Sequence, residues 1–440
     1  MKLGRQSGRM RAIVLLILLL AAGCSDGVDG ADGADETQPE QSQTQEISVM
    51  AVYTGAEQRA FEGVLDRFME INPDVEVRYR SAGDELPTVL ETAVKGGNPP
   101  DLAMLPQPGV LKDFATRGEL ESLDFARDAV EQNMGEYAVE LGTVDGTLYG
   151  FLVLTNNGSP VWYNVQLFEE AGVQPPSTWE ELVDVASTLK DSGVPAYSFG
   201  GADGWTLSAI FENIYLRTAG PEKYDQLAAH EIPWTDPSVK EALGYMADLF
   251  EDPENIAGGP EGALETDFPT SVSQVFSTSP KAAMTIIADF AYGVITDSTE
   301  AQPVTDFDVF DFPSINGSPP AVVGGGDSVV MFRDSDAARG LVEYLTTEEA
   351  ARTIVTEGPW SSLHTDLDPS VYDDPIRRRT GQGLLEAETF RFYLADLQPP
   401  EFGATVGQGL WKLFQDFLRD PSNVDGIAAQ IEKAAAKAFE

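Results

Sequence analysis

The residue whose chemistry is most sharply defined by its neighbours is Cys24, the only cysteine among 440 residues. It follows an apolar run at residues 13–22 and a small-residue stretch of Ala21, Ala22 and Gly23, and Lys2, Arg5, Arg9 and Arg11 lie ahead of that run. A basic, then apolar, then small order ending in a thiol is an export signal with a lipid-attachment site, so residues 1–23 read as a signal peptide and the mature chain as starting at Cys24. The run is about half of the roughly 20 residues that a spanning helix needs. The competing reading makes Cys24 only a small residue beside a cleavage site. With the thiol committed to lipid, neither a disulfide nor a cysteine metal site can form. Only His230 and His364 supply imidazole, on which nucleophilic triads and zinc sites usually depend, so each reads as a surface or satisfied structural residue. No metal and no cofactor are expected. The run Gly324, Gly325, Gly326 lacks the Lys and Ser/Thr of a phosphate loop and reads as a tight turn before a strand at 328–332.

Carboxylates are too many to be diagnostic. There are 72 Asp and Glu against 28 Lys and Arg, a formal net charge of −44, and chance acid pairs carry no weight as catalysts. The same balance excludes nucleic acid, because a phosphate backbone demands a basic partner. It reads as a solvated, self-repelling surface rather than as a site.

The chain that must position any site is long enough for two lobes, with 42% apolar residues to fill their cores. Residues 24–45 form a flexible linker from lipid to domain: the Gly, Asp, Gln and Ser of 25–46 show no apolar periodicity and cannot offset ordering entropy. Then strand, helix, strand, helix, strand follow, at 47–53, on the face of Phe61, Val64, Leu65 and Phe68, at Val75, Val77 and Tyr79, on the face of Leu86, Leu90 and Val94, and at 101–105. This order gives an open α/β lobe. After a strand at 151–154, the polar and breaker-rich 156–160 reads as an interruption where the chain crosses between lobes. Thr178 with Glu181 predicts a capping box ahead of Leu182, Ala186 and Leu189, and Asp236–Pro237 opens a helix carrying Val239, Leu243, Met246 and Phe250. Two more helical faces follow, one with Ala337, Leu341, Val342 and Leu345, the other with Leu410, Leu413, Phe414 and Phe417.

From Val161 the text VWYNVQLFEEAGVQPPSTWEEL resembles the signature segment of extracellular solute-binding proteins of sugar-importing ABC transporters. Other pieces agree in order: Asn98-Pro99-Pro100-Asp101-Leu102, Leu105-Pro106-Gln107-Pro108-Gly109, Asp145-Gly146-Thr147-Leu148-Tyr149-Gly150, Lys281-Ala282-Ala283-Met284, Gly324-Gly325-Gly326-Asp327 and Tyr344-Leu345-Thr346. The Gln-Pro-Gly and Gly-Gly-Gly-Asp wording resembles binders of α-glucosides and related oligosaccharides. The resemblance implies an α/β, two-lobed periplasmic-binding-protein-like fold of type II, with hinge crossings and a ligand cleft between the lobes. It implies an N-terminal lobe of 46–153 and 312–352, and a C-terminal lobe of 155–311 and 353–440.

Carried over residue by residue, the resemblance implies ligand contacts at Gly55 and Glu57 after the first strand, at Gln107 after the third, and at Asn156 or Asn157 at the first crossing. It also implies contacts at Asp203 and Trp205, at Asp289 and Phe290, at Asp327 and at Trp360. Aromatic rings match the C–H face of a pyranose, while amides and carboxylates bind its hydroxyls. Several of these have a plain structural alternative: Glu57 as a helix-start carboxylate, Trp205 as core, Asp327 as a turn-capping acid. Trp411 reads as core on its helical neighbours, Trp162 and Trp179 read as structural, and Trp234 is open.

The implied function is a lipid-anchored receptor at the extracellular face of the cytoplasmic membrane, at the cell surface or in the periplasm. As a monomer it captures an oligosaccharide and delivers it to ABC permease subunits. The membrane is a partner through Cys24, and nucleic acid is not one. The rival readings are an extracellular glycoside hydrolase, a surface adhesion or signalling module, and a binding protein for a non-sugar solute.

Overall fold

The computed structural model describes residues 44–372 and 374–440. The expected signal peptide, Cys24 and the expected linker up to residue 43 lie outside the described residues. Among the described residues no helix is long and apolar enough to cross a membrane.

The predicted opening alternation becomes β1 (Gln45–Ala51), β2 (Val75–Ser81) and β3 (Leu102–Leu105). Parallel pairing of β1 with both β2 and β3 makes β1 the middle strand, and β1 starts two residues ahead of the expected position. The helix Gly55–Ile71 between β1 and β2 buries Phe61, Val64, Leu65 and Phe68, the face foreseen from the 3.6-residue spacing. Each such side chain stabilises by about 1.5–3 kcal/mol relative to exposure. A short hairpin, β4 (Thr143–Val144) with β5 (Thr147–Leu148), precedes β6 (Gly150–Asn157).

Two residues after β6 the chain is in another sheet. There β7 (Pro160–Asn164) is flanked, antiparallel on both sides, by β8 (Met284–Ile286) and β9 (Phe307–Asp311). The chain returns to the first sheet through β10 (Val322–Met331), and β11 (Phe390–Phe392) joins it late. Strand β10 pairs with β6 along one edge, and along the other with β11 and then β3.

Two expectations are corrected here. Asn156 and Asn157 do not interrupt a strand: they are its last two residues, bonded in register to Gly325 and Gly324, and only Gly158 and Ser159 separate the two sheets. The triple glycine is no turn either, since it lies inside β10. Its reason is crowding. A Cβ at Gly326 would stand 2.2 Å from the Leu154 carbonyl oxygen, one at Gly325 2.6 Å from the Tyr393 ring, and one at Gly324 2.5 Å from the Asn156 carbonyl oxygen.

Two large cores result. The first gathers β1, β3 and β6 with the helices Gly55–Ile71, Asp336–Leu345 and Glu348–Glu357. The second gathers β7 and β8 with the helices Trp179–Asp191, Trp205–Ala219, Pro237–Phe250, Gly409–Arg419 and Val424–Ala438. The helix Glu348–Glu357 runs unbroken past residue 352 and, with Trp360 after it, places Ala350 and Ile354 in the first core.

The signature segment is scaffold throughout. The Trp162 indole donates to the Ile287 carbonyl at 3.0 Å, and Asn164 caps the helix Val165–Ala171 by accepting the Leu167 N–H at 3.1 Å. Gly172 ends that helix at φ 69°. Thr178 and Glu181 form the capping box, and the Trp179 indole donates to Asp248 at 3.0 Å. Trp234, left open by the sequence, is fully buried beside Phe211 and Phe402.

Candidate functional site

In an open α/β sheet, ligands meet the carboxyl ends of the strands. The loops after all three parallel strands converge on one cavity of about 440 Å³. Tyr53 comes from the loop after β1, Gly55 and Glu57 from the first turn of the helix that follows it, Asp84 from the connection after β2, and Gln107 from the loop after β3. Strands β6 and β10 add Asn156 and Asp327. At Asp327 and Ser328 the register of β10 against β6 slips, a bulge of the kind that re-aims a side chain. The Asp327 carboxylate accepts the Tyr53 hydroxyl at 2.5 Å.

The facing wall is built on the second core. Trp205, Ser208, Ala209 and Glu212 line the cavity at the i, i+3, i+4, i+7 spacing of one helical face. Trp205 meets Phe268 at 5.5 Å and Phe290 at 6.1 Å between ring centroids, and Phe268 meets Phe290 edge-on at 5.4 Å. Across from them, Trp360 lies 4.8 Å from the Tyr53 ring. Gly204, just ahead of Trp205, is required by its backbone and by packing: φ is 82°, and a Cβ would come within 2.8 Å of Trp411 Cβ.

Contacts join the walls directly. The Trp205 indole faces Asp84 and tempers the rise that burial imposes on that carboxyl. Arg59, on the helix after β1, pairs with Asp297 of the helix Ala291–Ser298 at 2.5 Å, with both side chains about half exposed.

Burial shapes the cavity's electrostatics. Glu57 is pushed up to about 8 by desolvation and then by the neighbouring charges of Asp327 and Asp84. Desolvation lifts Asp203 to about 7, against the pull of the Phe268 N–H, and Asp327 to about 6, against the Tyr53 hydroxyl. Glu212 and Asp396 are driven well above the carboxylate range by burial first. Several polar atoms are buried without a partner, among them Gln107 Oε1, Glu212 Oε2 and Trp411 Nε1, all on cavity-lining residues. Such atoms are costly unless a ligand or water meets them. Among the described residues no group of three or more His, Cys, Asp or Glu could hold a metal ion.

Of the residues expected from sequence, the structure brings together Gly55, Glu57, Gln107, Asn156, Asp203, Trp205, Phe290, Asp327 and Trp360. Asn157 and Asp289 are not in the lining. Asn157 donates to the Thr380 carbonyl and accepts the Ser159 N–H, and its own carbonyl accepts the Asp289 N–H at 2.8 Å. Asp289 accepts the Ser361 hydroxyl at 3.3 Å. Trp411, read as core, is 3% exposed yet reaches the cavity. Neither histidine lines it: His230 sits 3.3 Å from Glu432, and His364 is buried with Nε2 unpartnered.

Sequence reading missed Tyr53, Asp84, Glu212, Phe268, Tyr393 and Asp396. Tyr53 and Asp84 follow the ends of parallel strands, a signal that strand topology alone supplies. Glu212 is an acid in a helix otherwise buried all round, on the face that Trp205 begins. Tyr393 and Asp396 follow the three-residue β11 and carry no local signal.

The family model for the bacterial extracellular solute-binding protein matches residues 54–352. The chain is 32% identical over 383 residues to an osmoprotective compounds-binding protein of Synechocystis sp., covering 85% of this chain and 88% of that one. It is 31% identical over 408 residues to an alpha-glucosides-binding periplasmic protein of Rhizobium meliloti, covering 89% and 87%. Among solved structures, a bacterial solute receptor with an exclusive preference for β-D-galactopyranose superposes with a TM-score of 0.80 at 20% identity, covering 90% of this chain and all of that one, and it shares the two-lobed fold. With the family model spanning well over half of its length, and with a cavity between two cores, this chain belongs to the bacterial extracellular solute-binding proteins.

Proposed function

We propose that the protein is the receptor of an ABC importer, that it takes an α-glucoside or related oligosaccharide into the cavity between its cores, and that it hands this cargo to membrane permease subunits. Its relatives are binding proteins, so it is a receptor and not an enzyme, and the hydrolase alternative falls. The observation that carries the sugar reading is the composition of the lining. Trp205, Phe268, Phe290 and Trp360 offer ring faces, while Gln107, Asn156 and the carboxyl groups offer acceptors and donors for hydroxyls. About 440 Å³ falls within the 300–1,000 Å³ typical of small-molecule sites.

Ligand would favour the closed arrangement through contacts to both walls at once. The proposed lobes are 46–153 with 312–360, and 155–311 with 361–440, the boundary expected at 352 being moved beyond Trp360 because Ile354 and Trp360 pack in the first core. Acylation at Cys24, a leash to residue 45 and a monomeric state complete the proposal. Gly55, Glu57, Gln107, Asn156, Asp203, Trp205, Phe290, Asp327 and Trp360 are the proposed contacts.

Calorimetric titration with maltose, trehalose, maltotriose and sucrose tests the reading. Saturable binding of one or more, with the sugar recovered intact and no new reducing ends, supports it, and silence from all four removes the sugar assignment. A second reading has its own support: the Synechocystis relative binds osmoprotective compounds, so a small compatible solute belongs in the same titration.

A further inference from the structure

The cavity lining contains no Lys, Arg or His, yet it holds eight carboxyl groups. Two of these serve elsewhere, Asp297 with Arg59 and Asp267 at the cap of the helix Phe268–Phe276, and Asp203 and Asp327 already accept the Phe268 N–H and the Tyr53 hydroxyl. The other six, Glu57, Asp84, Asp203, Glu212, Asp327 and Asp396, stand on both walls. They are not arranged to grip one metal ion. Glu212, 1% exposed, uses Oε1 for the Ala395 N–H and leaves Oε2 without a partner in the cavity wall. The whole chain adds a far field of the same sign, at −44.

We propose that the cavity sorts sugars by the sign of their charge: one carrying a protonated amine binds more tightly than its neutral parent, and one carrying a phosphate or carboxylate is refused. This rests on the sugar reading of the same cavity. An ammonium brings N–H donors and a positive charge to groups that only accept when ionised. A phosphate brings further acceptors and negative charge, and finds no basic partner in the lining. Burial raises the carboxyl pKa values, with repulsion between neighbours adding at Glu57, Asp203, Glu212 and Asp396, and a bound cation would offset that repulsion.

The test is calorimetry on the full-length protein with maltose, trehalose and sucrose, each beside its 2-amino or 6-amino deoxy form and its 6-phosphate. The expected result is a gain of about ten- to hundredfold for an amine at one of the two positions, and no heat with the phosphates. Neutral sugars that bind with no amine advantage at either position, or phosphates that bind as well as their parents, overturn the sorting and leave the sugar reading intact. No binding by any neutral or amino form overturns both. The double variant Glu57→Gln, Asp203→Asn should keep its circular dichroism while the amine advantage shrinks. An undiminished advantage in that folded variant also overturns the proposal, and Glu57→Gln alone serves if the double variant does not fold.

Discussion

The signature segment and the cavity wall teach opposite lessons about what a sequence announces. The stretch from Val161 to Thr178 and its following helix is the most recognisable text in the chain, and none of it lines the cavity. It is strand, cap, turn and capping box, a run of local rules satisfied in order. The wall is the reverse. Its residues come in short pieces from loops, helix turns and strands spread from Val52 to Trp411, and the fold alone makes those pieces neighbours. Continuous text specifies scaffold here, while scattered letters specify recognition.

Substitutions can break that contrast. The largest effect belongs to the scaffold: Trp162→Ala empties a fully buried site and removes an indole hydrogen bond, and should lower stability by about 3–5 kcal/mol in denaturant titration. Sugar affinity of the protein that remains folded should not change, and a loss of affinity would blur the distinction. Next comes the wall. Trp205→Ala should weaken ligand by about ten- to hundredfold, as expected for removing an aromatic contact worth about 1.5–3 kcal/mol. Calorimetry with the best ligand of the panel measures it.

A smaller scaffold effect is expected at Thr178→Ala, which removes the capping box at a cost of about 1 kcal/mol and leaves affinity alone. The remaining effect is a slope. Glu57 has a folded value near 8 against an ordinary value of 4.5, so the folded protein holds a proton that the unfolded chain has released across that interval. Stability from this group is therefore full below about pH 4.5 and declines as pH rises toward 8. Melting temperatures between pH 5 and pH 8 should fall less steeply in Glu57→Gln than in the parent, and parallel profiles would refute the assignment.

Much of the scaffold was legible because its signals are short-range. The faces of Phe61 to Phe68 and of Val239 to Phe250, and the box at Thr178, depend on spacing within a few turns, and each appears where spacing places it. The errors arise where distant strands decide. Asn156 and Asn157 look like breakers, yet β10 supplies the ladder that keeps them extended. Three glycines look like a turn, but the Tyr393 ring and the β6 backbone require their lack of side chains. Position along a strand likewise separates Asn156, which faces the cavity, from Asn157, which is used up by Thr380 and Ser159. Glu212 and Asp396 became visible only when the helix and the end of β11 came together around one cavity.

The pair between Arg59 and Asp297 spans the mouth, and its two partners are 61% and 46% exposed. An ion pair that wet is worth about 0–1 kcal/mol. By itself it is too feeble a clasp to hold an unloaded molecule shut on the proposed hinge, which under that proposal leaves closing force for the ligand to provide. Shape thereby becomes a report of content, and a transporter that engages only the shut form would spend no turnover on vacant carriers.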